Sequence, residues 1–414
     1  MKSLLLSNEY PPNVYGGAGI HVQYLARELA RLCEVEVRCF GEQWEDGGPG
    51  EPKVRGAGWD RSGYTAPEHL HSVFGALQRS LEFNTHAIDA DIVHLHTWYS
   101  HFGGILAKLN YGTPLVLTVH SLEPLRPWKR EQLGGGYDFT VWLEKTAIEM
   151  ADAVVAVSTE TKEDILRHFD IPSEKVHIIY NGIDLEEYQP TFNPGRIASY
   201  GVDTDQPYVL FVGRITRQKG IIHLVNAIKH LTPGTQVVLC AGAPDTPEIA
   251  AEMSEAVAKA REVHSGPVVW IENMLDTETK VNLYSGAAVF CCPSIYEPFG
   301  IINLEAMACE IPVVASSVGG MKEVIVHEET GILVPLDQQT ESPFEPLEPE
   351  TFAQDLAFGI NRLMADPELR KRMGKAGRER VEEQFSWTSI ARQTLDLYET
   401  VLNNAEAGTR SAES

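Results

Sequence analysis

Two carboxylates flank a Pro-Phe-Gly turn in the stretch SIYEPFGIINLE, residues 294–305. Glu297 precedes the turn, and Glu305 follows it in IINLEAMAC, which has the pattern of a helix start. Because a helix rises about 1.5 Å per residue, the two carboxylates should lie on the order of 10 Å apart. Acids that hydrolyse a glycosidic bond lie roughly 5 to 9.5 Å apart. The spacing therefore favours contacts with the two ends of one extended ligand. Glu305 is also consistent with an acid that stabilises a helix N-terminus.

Two basic residues in VGRITRQKG could bind the anionic part of such a ligand. Arg214 ends an apolar run, and Lys219 follows five residues later, beside Gly220. Two cations in one loop suit a diphosphate, especially one that gains charge as it leaves. A solvated basic turn explains the spacing equally well.

A third candidate is the glycine-rich turn VYGGAGIHV, with Gly16, Gly17 and Gly19 between a strand and a helix. Glycines here allow backbone amides to approach a phosphate at the positive end of a helix dipole. An ordinary tight turn is an equally good explanation. The stretch does not spell G-x-G-x-x-G, and no acidic residue ends a second strand in the ribose-binding position. A nicotinamide dinucleotide ligand is therefore disfavoured.

Short apolar runs alternate with amphipathic helical segments along the chain, and this alternation predicts parallel sheets with helical crossovers. We predict an α/β fold with two doubly wound, Rossmann-like domains that face a ligand cleft. The predicted segments are a first domain at 1–185, a proline-bearing linker at 186–207, a second domain at 208–385, a helix at 388–403 that crosses back to the first domain, and a disordered tail at 404–414.

Composition excludes several classes of function. The chain has 414 residues and a net charge of −24, which argues against nucleic acid or an anionic membrane as a partner. Its six cysteines form no C-x-x-C pair, as expected for free thiols in a reducing compartment. No apolar run approaches the roughly 20 residues of a membrane span. We therefore expect a soluble cytoplasmic protein.

Taken together, GGAG, GRITRQKG and the pair Glu297 and Glu305 resemble the retaining, two-domain (GT-B fold) glycosyltransferases of family 4, and are similar to bacterial glycogen synthases. The resemblance extends over about residues 1 to 403. EYPPNVYGGAGIHV, HTWY and VFCCPSIYEP look most like an actinobacterial glycogen-synthase-like branch that makes maltose 1-phosphate from ADP-glucose and glucose 1-phosphate. This resemblance implies α-1,4-glucosyl transfer and is compatible with a homodimer.

The resemblance also implies residue roles. Amides of Gly16 and Gly17 would contact the donor diphosphate, which Arg214 and Lys219 would bind. Glu297 would bind hydroxyls of the donor sugar, and Glu305 those of the ribose. The amides of Phe299, Gly300 and Ile301 would lie near sugar and phosphate, and His120 would lie near the reacting glucose. Backbone groups near Met274, Leu275 and Ile295 would read the base.

The stretch HSLEPLRPWKREQLGGGY, residues 120–137, bears on the identity of the acceptor, because standard glycogen synthases have a different sequence here. This text resembles relatives with phosphorylated acceptors, such as sucrose-phosphate synthase. Arg126, Lys129 and Arg130 place three cations close to His120 in an otherwise acidic chain. We expect one or two of them to bind an acceptor phosphate, although a solvated basic loop would look the same. The acceptor is then glucose 1-phosphate, with an α-glucan chain end as the alternative.

A metal is not expected to be obligatory. Asp89-Ala-Asp91 resembles the D-x-D sequence of another transferase fold, but it leads into a strand, and Arg214 and Lys219 can supply the charge. Three alternatives remain open: a nucleotide-sugar epimerase of the same fold, a family 4 transferase with another acceptor, and a non-catalytic sugar binder. Release of nucleotide diphosphate only with acceptor present would distinguish the predicted transferase from the epimerase and the binder.

Overall fold

The computed structural model describes residues 1–273, 275–341 and 343–412, so the predicted base contact Met274 lies outside the described part. The chain divides into two compact units. Unit 1 comprises Met1–Gly182 and Trp387–Ser414, and unit 2 comprises Ile183–Ser386. Each is built around its own sheet and hydrophobic core.

Unit 1 contains an eight-stranded sheet in the order β3-β4-β2-β1-β5-β6-β7-β8. Only the β3–β4 pair is antiparallel among the described pairings. The central strands are short apolar runs with buried side chains, as expected for a parallel sheet covered on both faces. The strands are β1 Lys2–Leu6, β2 Glu34–Phe40, β3 Trp44–Glu45, β4 Lys53–Ala57, β5 Ile92–His96, β6 Leu115–Val119, β7 Ala153–Ala156 and β8 Val176–Ile178.

Helices cover the sheet of unit 1 and include one at the end of the chain. They are α1 Gly17–Ala30, α2 His71–Phe83, α3 Trp98–Tyr111, α4 Arg130–Leu133, α5 Gly136–Met150 and α6 Thr159–His168. In unit 1 the strand order reverses between β1 and β5. Ligands of doubly wound sheets bind outside the carboxyl ends of the strands at such a reversal.

Unit 2 repeats this architecture with six parallel strands in the order β11-β10-β9-β12-β13-β14. The strand order reverses between β9 and β12. The strands are β9 Tyr208–Arg214, β10 Gln236–Gly242, β11 Val268–Ile271, β12 Val289–Cys292, β13 Val313–Ser316 and β14 Gly331–Val334. The helices are α7 Pro194–Ala198, α8 Ile221–Ala227, α9 Pro247–Val263, α10 Thr277–Gly286, α11 Ile301–Ala308, α12 Met321–Val324, α13 Pro349–Ala365 and α14 Pro367–Gln384.

The segment that the sequence predicts as a linker belongs to unit 2. Residues 186–207 include α7, and Tyr188, Ile197 and Val202 are buried. The prolines suggested an extended connection, but these apolar side chains pack into the unit. The chain passes from one unit to the other at Gly182 and Ile183 instead.

The last helix, α15 Trp387–Ala412, belongs to unit 1 and packs on α1. The rings of Trp387 and Tyr24 are stacked with centroids 5.8 Å apart. The helix continues through most of 404–414, where the composition predicted a disordered tail, and residues 413 and 414 lie outside the described part.

Candidate active site

The loop between β9 and α8 presents both predicted diphosphate-binding cations at the carboxyl edge of the second sheet. Arg214 ends β9, and its Nη2 donates to Asp245 Oδ1 at 2.6 Å. Gly220 has a φ of +58°, and a Cβ there would lie 2.1 Å from the Pro293 carbonyl oxygen. Glycine is therefore required for the loop to pack against the segment that follows β12.

Lys219 and Glu297 meet directly in unit 2, although they are far apart in sequence. Lys219 Nζ donates to Glu297 Oε2 at 2.6 Å, and Ser294 Oγ donates to the same oxygen at 3.1 Å. The Glu297 side chain is 7% exposed, so its charge needs a partner. Glu297, the predicted sugar-binding acid, and Lys219, the predicted phosphate-binding cation, therefore form an ion pair.

Two glycines that the sequence reasoning missed hold the Glu297 loop in place. Gly320 N donates to the Glu297 carbonyl oxygen at 3.1 Å. A Cβ at Gly319 would lie 1.8 Å from that same oxygen, and the φ of Gly319 is +55°. The Gly-Gly pair after β13 was a visible signal for such a close backbone approach.

The turn after Glu297 leads into α11 as its sequence predicts. Gly300 is the N-cap residue with a φ of +96° and offers no side chain to cap the helix, and Ile301 is the first helical residue. Phe299 is buried, with its ring centroid 5.9 Å from that of Phe385. The backbone of 299–301 thus forms the start of a helix, where amides favour negative charge.

Glu305 is buried on α11 between two tyrosines. Tyr188 and Tyr284 donate their hydroxyls to its Oε1 and Oε2 at 3.1 and 2.8 Å. Burial, and then the charge of Glu305, raise the pKa of both tyrosines. Since a carboxylate oxygen accepts more than one hydrogen bond, Glu305 keeps acceptor capacity for a hydroxyl of a ligand.

In unit 1 a carboxylate already occupies the glycine-rich turn. Glu9 Oε2 accepts from the amides of Tyr15 and Gly16 at 2.9 and 2.8 Å, and Gly17 begins α1. A Cβ at Gly19 would lie 2.6 Å from the same oxygen. The sequence predicts that the Gly16 and Gly17 amides contact a donor phosphate; in the structure the Gly16 amide is directed at the internal carboxylate of Glu9.

His120 follows β6, is partly buried and belongs to a cluster of histidines whose other members are buried. Its Nε2 lies 3.1 Å from His96 Nδ1, and its ring centroid lies 4.7 Å from that of His21. Burial first, and then His21 and His94, lower the pKa of His120 well below its usual value. His94 and His96 share one face of β5 because side chains alternate along a strand. The H-x-H in VHLHT was therefore a signal of this cluster.

The three cations of the basic loop have different surroundings. Lys129 Nζ donates to the buried Glu123 at 2.8 Å, and Arg130 pairs with Asp138 at the surface. Arg126 donates to Ser121 Oγ at 3.1 Å through Nη1, while its buried Nε has no partner among the described residues. Of the three, Arg126 retains the most donor capacity.

Two buried acids set the charge beneath this loop. Burial acts to raise the pKa of Glu123, but Lys129 and Arg126 outweigh burial and lower it. Burial, and then the charge of Glu123, raise the pKa of Glu144, which accepts from the Glu123 amide at 2.7 Å. When Glu144 is neutral, two cations share one carboxylate, which leaves a positive charge available to an anion.

Asp89 and Asp91 hold the start of the chain. Asp91 Oδ2 accepts from the Lys2 amide at 2.7 Å, and Asp89 pairs with the Lys2 ammonium. These contacts are structural and involve none of the residues predicted to bind the donor.

Comparison with known proteins identifies the family. A family model described as Glycosyltransferase Family 4 matches residues 15–187, and one described as Glycosyl transferases group 1 matches residues 196–342. The chain is 46% identical over 409 residues to an α-maltose-1-phosphate synthase of Mycolicibacterium smegmatis, covering 97% of this chain and 100% of that one. The chain belongs to glycosyltransferase family 4. As the sequence predicts, this family 4 enzyme has the GT-B fold and is a nucleotide-sugar-dependent glycosyltransferase.

Two further relatives agree with this assignment. An α-maltose-1-phosphate synthase of Mycobacterium tuberculosis is 45% identical over 412 residues, covering 97% of this chain and 100% of that one. The sucrose-phosphate synthase of Thermosynechococcus elongatus superimposes with a TM-score of 0.78 at 26% identity, covering 98% of this chain and all of that one. In the described part of this family 4 enzyme, no helix combines the length and apolar character needed to cross a membrane.

Proposed function

We propose that this family 4 enzyme transfers glucose from ADP-glucose to glucose 1-phosphate in the cytoplasm, with retention of the α configuration, and so forms maltose 1-phosphate. The observation that carries the proposal is the 45–46% identity, over nearly the full length, to two α-maltose-1-phosphate synthases. Arg126, six residues after His120 and one of two cations that face the single carboxylate of Glu123, supports a phosphorylated acceptor.

Unit 2 supplies the charges for the departure of the leaving group. The donor diphosphate gains negative charge as the glycosidic bond breaks, and Arg214 and Lys219 stabilise that charge. Both cations have carboxylate partners without the donor, Asp245 and Glu297. The diphosphate therefore joins or replaces these carboxylates, while Glu297 accepts hydrogen bonds from the sugar hydroxyls.

Unit 1 supplies the acceptor contacts. His120 lies near the reacting glucose and is neutral at pH 7, because burial lowers its pKa. Arg126 binds the acceptor phosphate. The acceptor hydroxyl attacks from the face on which the diphosphate leaves, and the leaving phosphate oxygen takes its proton. This front-face substitution retains the α configuration without a covalent enzyme intermediate.

A single assay tests the proposed function. The enzyme is incubated with ADP-glucose alone, with glucose 1-phosphate and with glycogen, and ADP release and products are measured. We expect ADP release to depend on glucose 1-phosphate, with a kcat/KM that exceeds that for glycogen chain ends. A preference for glycogen would identify a glycogen synthase instead. Conversion of the donor without acceptor and without ADP release would identify an epimerase.

Arg126→Ala should raise the KM for glucose 1-phosphate by about tenfold or more, since a hydrogen bond to a charged group contributes about 1.5–3 kcal/mol. The KM for ADP-glucose should change by less than about twofold, because the donor does not contact this loop. Initial rates with each substrate varied in turn measure both constants. Arg130→Ala is the matched control, since Arg130 pairs with Asp138 at the surface. Equal effects of Arg126→Ala on both substrates would contradict the assignment.

Glu305→Gln should raise the KM for ADP-glucose by about tenfold and change kcat by less than about threefold, because the ribose is held equally in ground and transition states. The substitution keeps the size of the side chain and one acceptor oxygen for the tyrosines. Tyr188→Phe removes one donor to Glu305 without altering the carboxylate, so it controls for disturbance of the buried network. A loss confined to kcat would exclude a ribose contact.

A further inference from the structure

Three histidines from separate parts of unit 1 converge at the carboxyl edge of its sheet. His21 lies on α1, His96 ends β5, and His120 follows β6. Each offers one ring nitrogen, and these three nitrogens all lie within 4.8 Å of one another. His21 and His96 are 2% and 0% exposed, whereas His120 is only partly buried. The proposed transfer reaction uses His120 and leaves His21 and His96 without a role.

The two buried histidines have unsatisfied ring nitrogens. His21 Nδ1 contacts Asn181 Oδ1 at 2.5 Å, and because an amide oxygen only accepts, this nitrogen carries the hydrogen. His21 Nε2 therefore holds a lone pair, and it has no partner among the described residues. His96 Nε2 is also buried without a partner there, but His96 faces His120 through Nδ1, so the unsatisfied nitrogen directed at the site is that of His21. Such groups are costly to bury, so a ligand that satisfies them gains affinity.

The three side chains have the chemistry of a metal site. Neutral imidazole is the form that binds metals, and three imidazoles with a water as fourth ligand make a known type of Zn²⁺ site. The Asn181 contact is the kind of outer hydrogen bond that orients a metal-binding histidine.

We propose that His21, His96 and His120 form a binding site for a first-row divalent metal ion such as Zn²⁺. A tetrahedral ion with Zn–N bonds of about 2.0–2.1 Å needs ligand nitrogens about 3.4 Å apart. His96 Nδ1 and His120 Nε2 are already 3.1 Å apart, and one of them donates a hydrogen to the other. Metal binding shifts that hydrogen to the second nitrogen of the same ring, and ring movements bring in the third ligand. The partial exposure of His120 leaves room for the water and a route of entry.

The bound metal inhibits glucosyl transfer. An ion that takes the lone pair of His120 removes this residue from the reacting glucose and places a double positive charge in its position. This consequence rests on the proposed function, whereas the metal site itself does not. The metal is an inhibitor of the reaction and is not required for it, so EDTA should leave the activity of metal-free enzyme unchanged.

Direct binding tests the site with the full-length chain, free of any affinity tag. Co²⁺ is titrated and its visible absorption recorded, and Zn²⁺ is then added as a competitor in calorimetry. We expect one tetrahedral Co²⁺ per chain, displaced by Zn²⁺. His21→Gln should weaken binding by at least tenfold, and Asn181→Leu by about tenfold, as is typical for loss of an outer-shell partner. His86→Gln is the matched control, because His86 is exposed in unit 1.

Far-UV circular dichroism and thermal melts identify any variant that fails to fold. If His21→Gln fails to fold, Asn181→Leu still tests the site, because it keeps all three histidine ligands. Folded His21→Gln that binds Co²⁺ as tightly as the wild type would overturn the site, as would the lack of a tetrahedral spectrum. In the activity assay, inhibition should follow the same Zn²⁺ midpoint and be reversed by EDTA. Stoichiometric binding with unchanged transfer would overturn the inhibition. Absence of transfer before metal is added would instead refute the proposed function and leave the binding result intact.

Discussion

Lys219→Ala should lower kcat by about 100-fold or more, because a preorganised donor that meets charge developing in the transition state contributes 10²–10³ in rate. The Lys219 ammonium lies 2.6 Å from Glu297 Oε2. Its loop packs closely against Pro293, because Gly220 has no side chain at the point of contact. This charge is therefore fixed before the donor diphosphate begins to leave. The measurement is the rate of ADP release at saturating ADP-glucose and acceptor.

Arg217→Ala is the matched control, since Arg217 carries the same charge in the same loop, two residues before Lys219. It should change kcat by less than about threefold, because a charge that does not contact the reacting groups contributes little in water. A loss of only two- or threefold in Lys219→Ala would refute the role of Lys219.

The structure adds a competing explanation that has to be tested separately. Lys219 also neutralises the nearly buried Glu297, so its removal leaves that carboxylate without this cation. The double variant Lys219→Ala, Glu297→Gln removes the unpaired charge. Glu297→Gln alone is the reference, because Glu297 also binds the donor sugar in the proposed reaction. If Lys219 only neutralised Glu297, the double variant would match Glu297→Gln. If Lys219 stabilises the leaving diphosphate, the double variant falls well below Glu297→Gln.

Sequence patterns predicted most strands of both sheets, because buried parallel strands appear in the sequence as short apolar runs. LLL in β1, LVLTV in β6 and VVAS in β13 are examples. The pattern failed for β4, whose sequence KVRGA contains two cations and a glycine. This strand lies near the edge of the sheet, and Val54 and Ala57 are buried while its other three residues are only partly covered. Strands of this kind carry a weak apolar signal.

The candidate site shows a similar division. Arg214, Lys219 and Glu297 were found because short linear motifs contain them. Asp245, the partner of Arg214, was missed because it belongs to no motif. Glu9 begins the stretch EYPPNVYGGAGIHV, but its contact with the Gly16 amide becomes visible only in the fold. The cations of the basic loop likewise cannot be told apart by their sequence. The structure shows that they have different partners: Arg126 Nε has none among the described residues, whereas Lys129 pairs with Glu123.

Unit 1 should lose stability as the pH falls from 7 to 5, and its histidines are the cause. Burial lowers the pKa of His21 to about 4 and those of His94 and His101 to about 3. In the unfolded chain these groups titrate near 6.5. Below that pH the unfolded state binds protons that the folded state cannot. The stability is therefore complete above about pH 6.5 and is lost as the pH falls toward the folded pKa values.

The expected loss is large compared with the stability of a domain. At pH 5 each of these three histidines accounts for about 2 kcal/mol, or about 6 kcal/mol together, whereas domains are stable by about 5–15 kcal/mol. Glu144 and Asp164 offset part of this loss, because burial raises their pKa values and they take up protons in the folded state. Urea unfolding at several pH values between 5 and 7.5 measures the net effect.

Tryptophan fluorescence reports mainly on this unit, because six of the seven tryptophans belong to it and only Trp270 lies in unit 2. His101→Met provides the sharpest test. His101 is buried, and neither ring nitrogen has a partner among the described residues, so an apolar replacement of similar size should not destabilise the protein at pH 7.5.

Between pH 5 and 6, His101→Met should reduce the dependence of the unfolding free energy on pH by nearly one proton, or about 1.4 kcal/mol per pH unit. His86→Met is the matched control and should leave that slope unchanged, because His86 is exposed and lies outside the buried histidine cluster. An identical slope in His101→Met and the wild type would show that His101 takes up its proton in the folded protein. Its burial would then not contribute to acid unfolding.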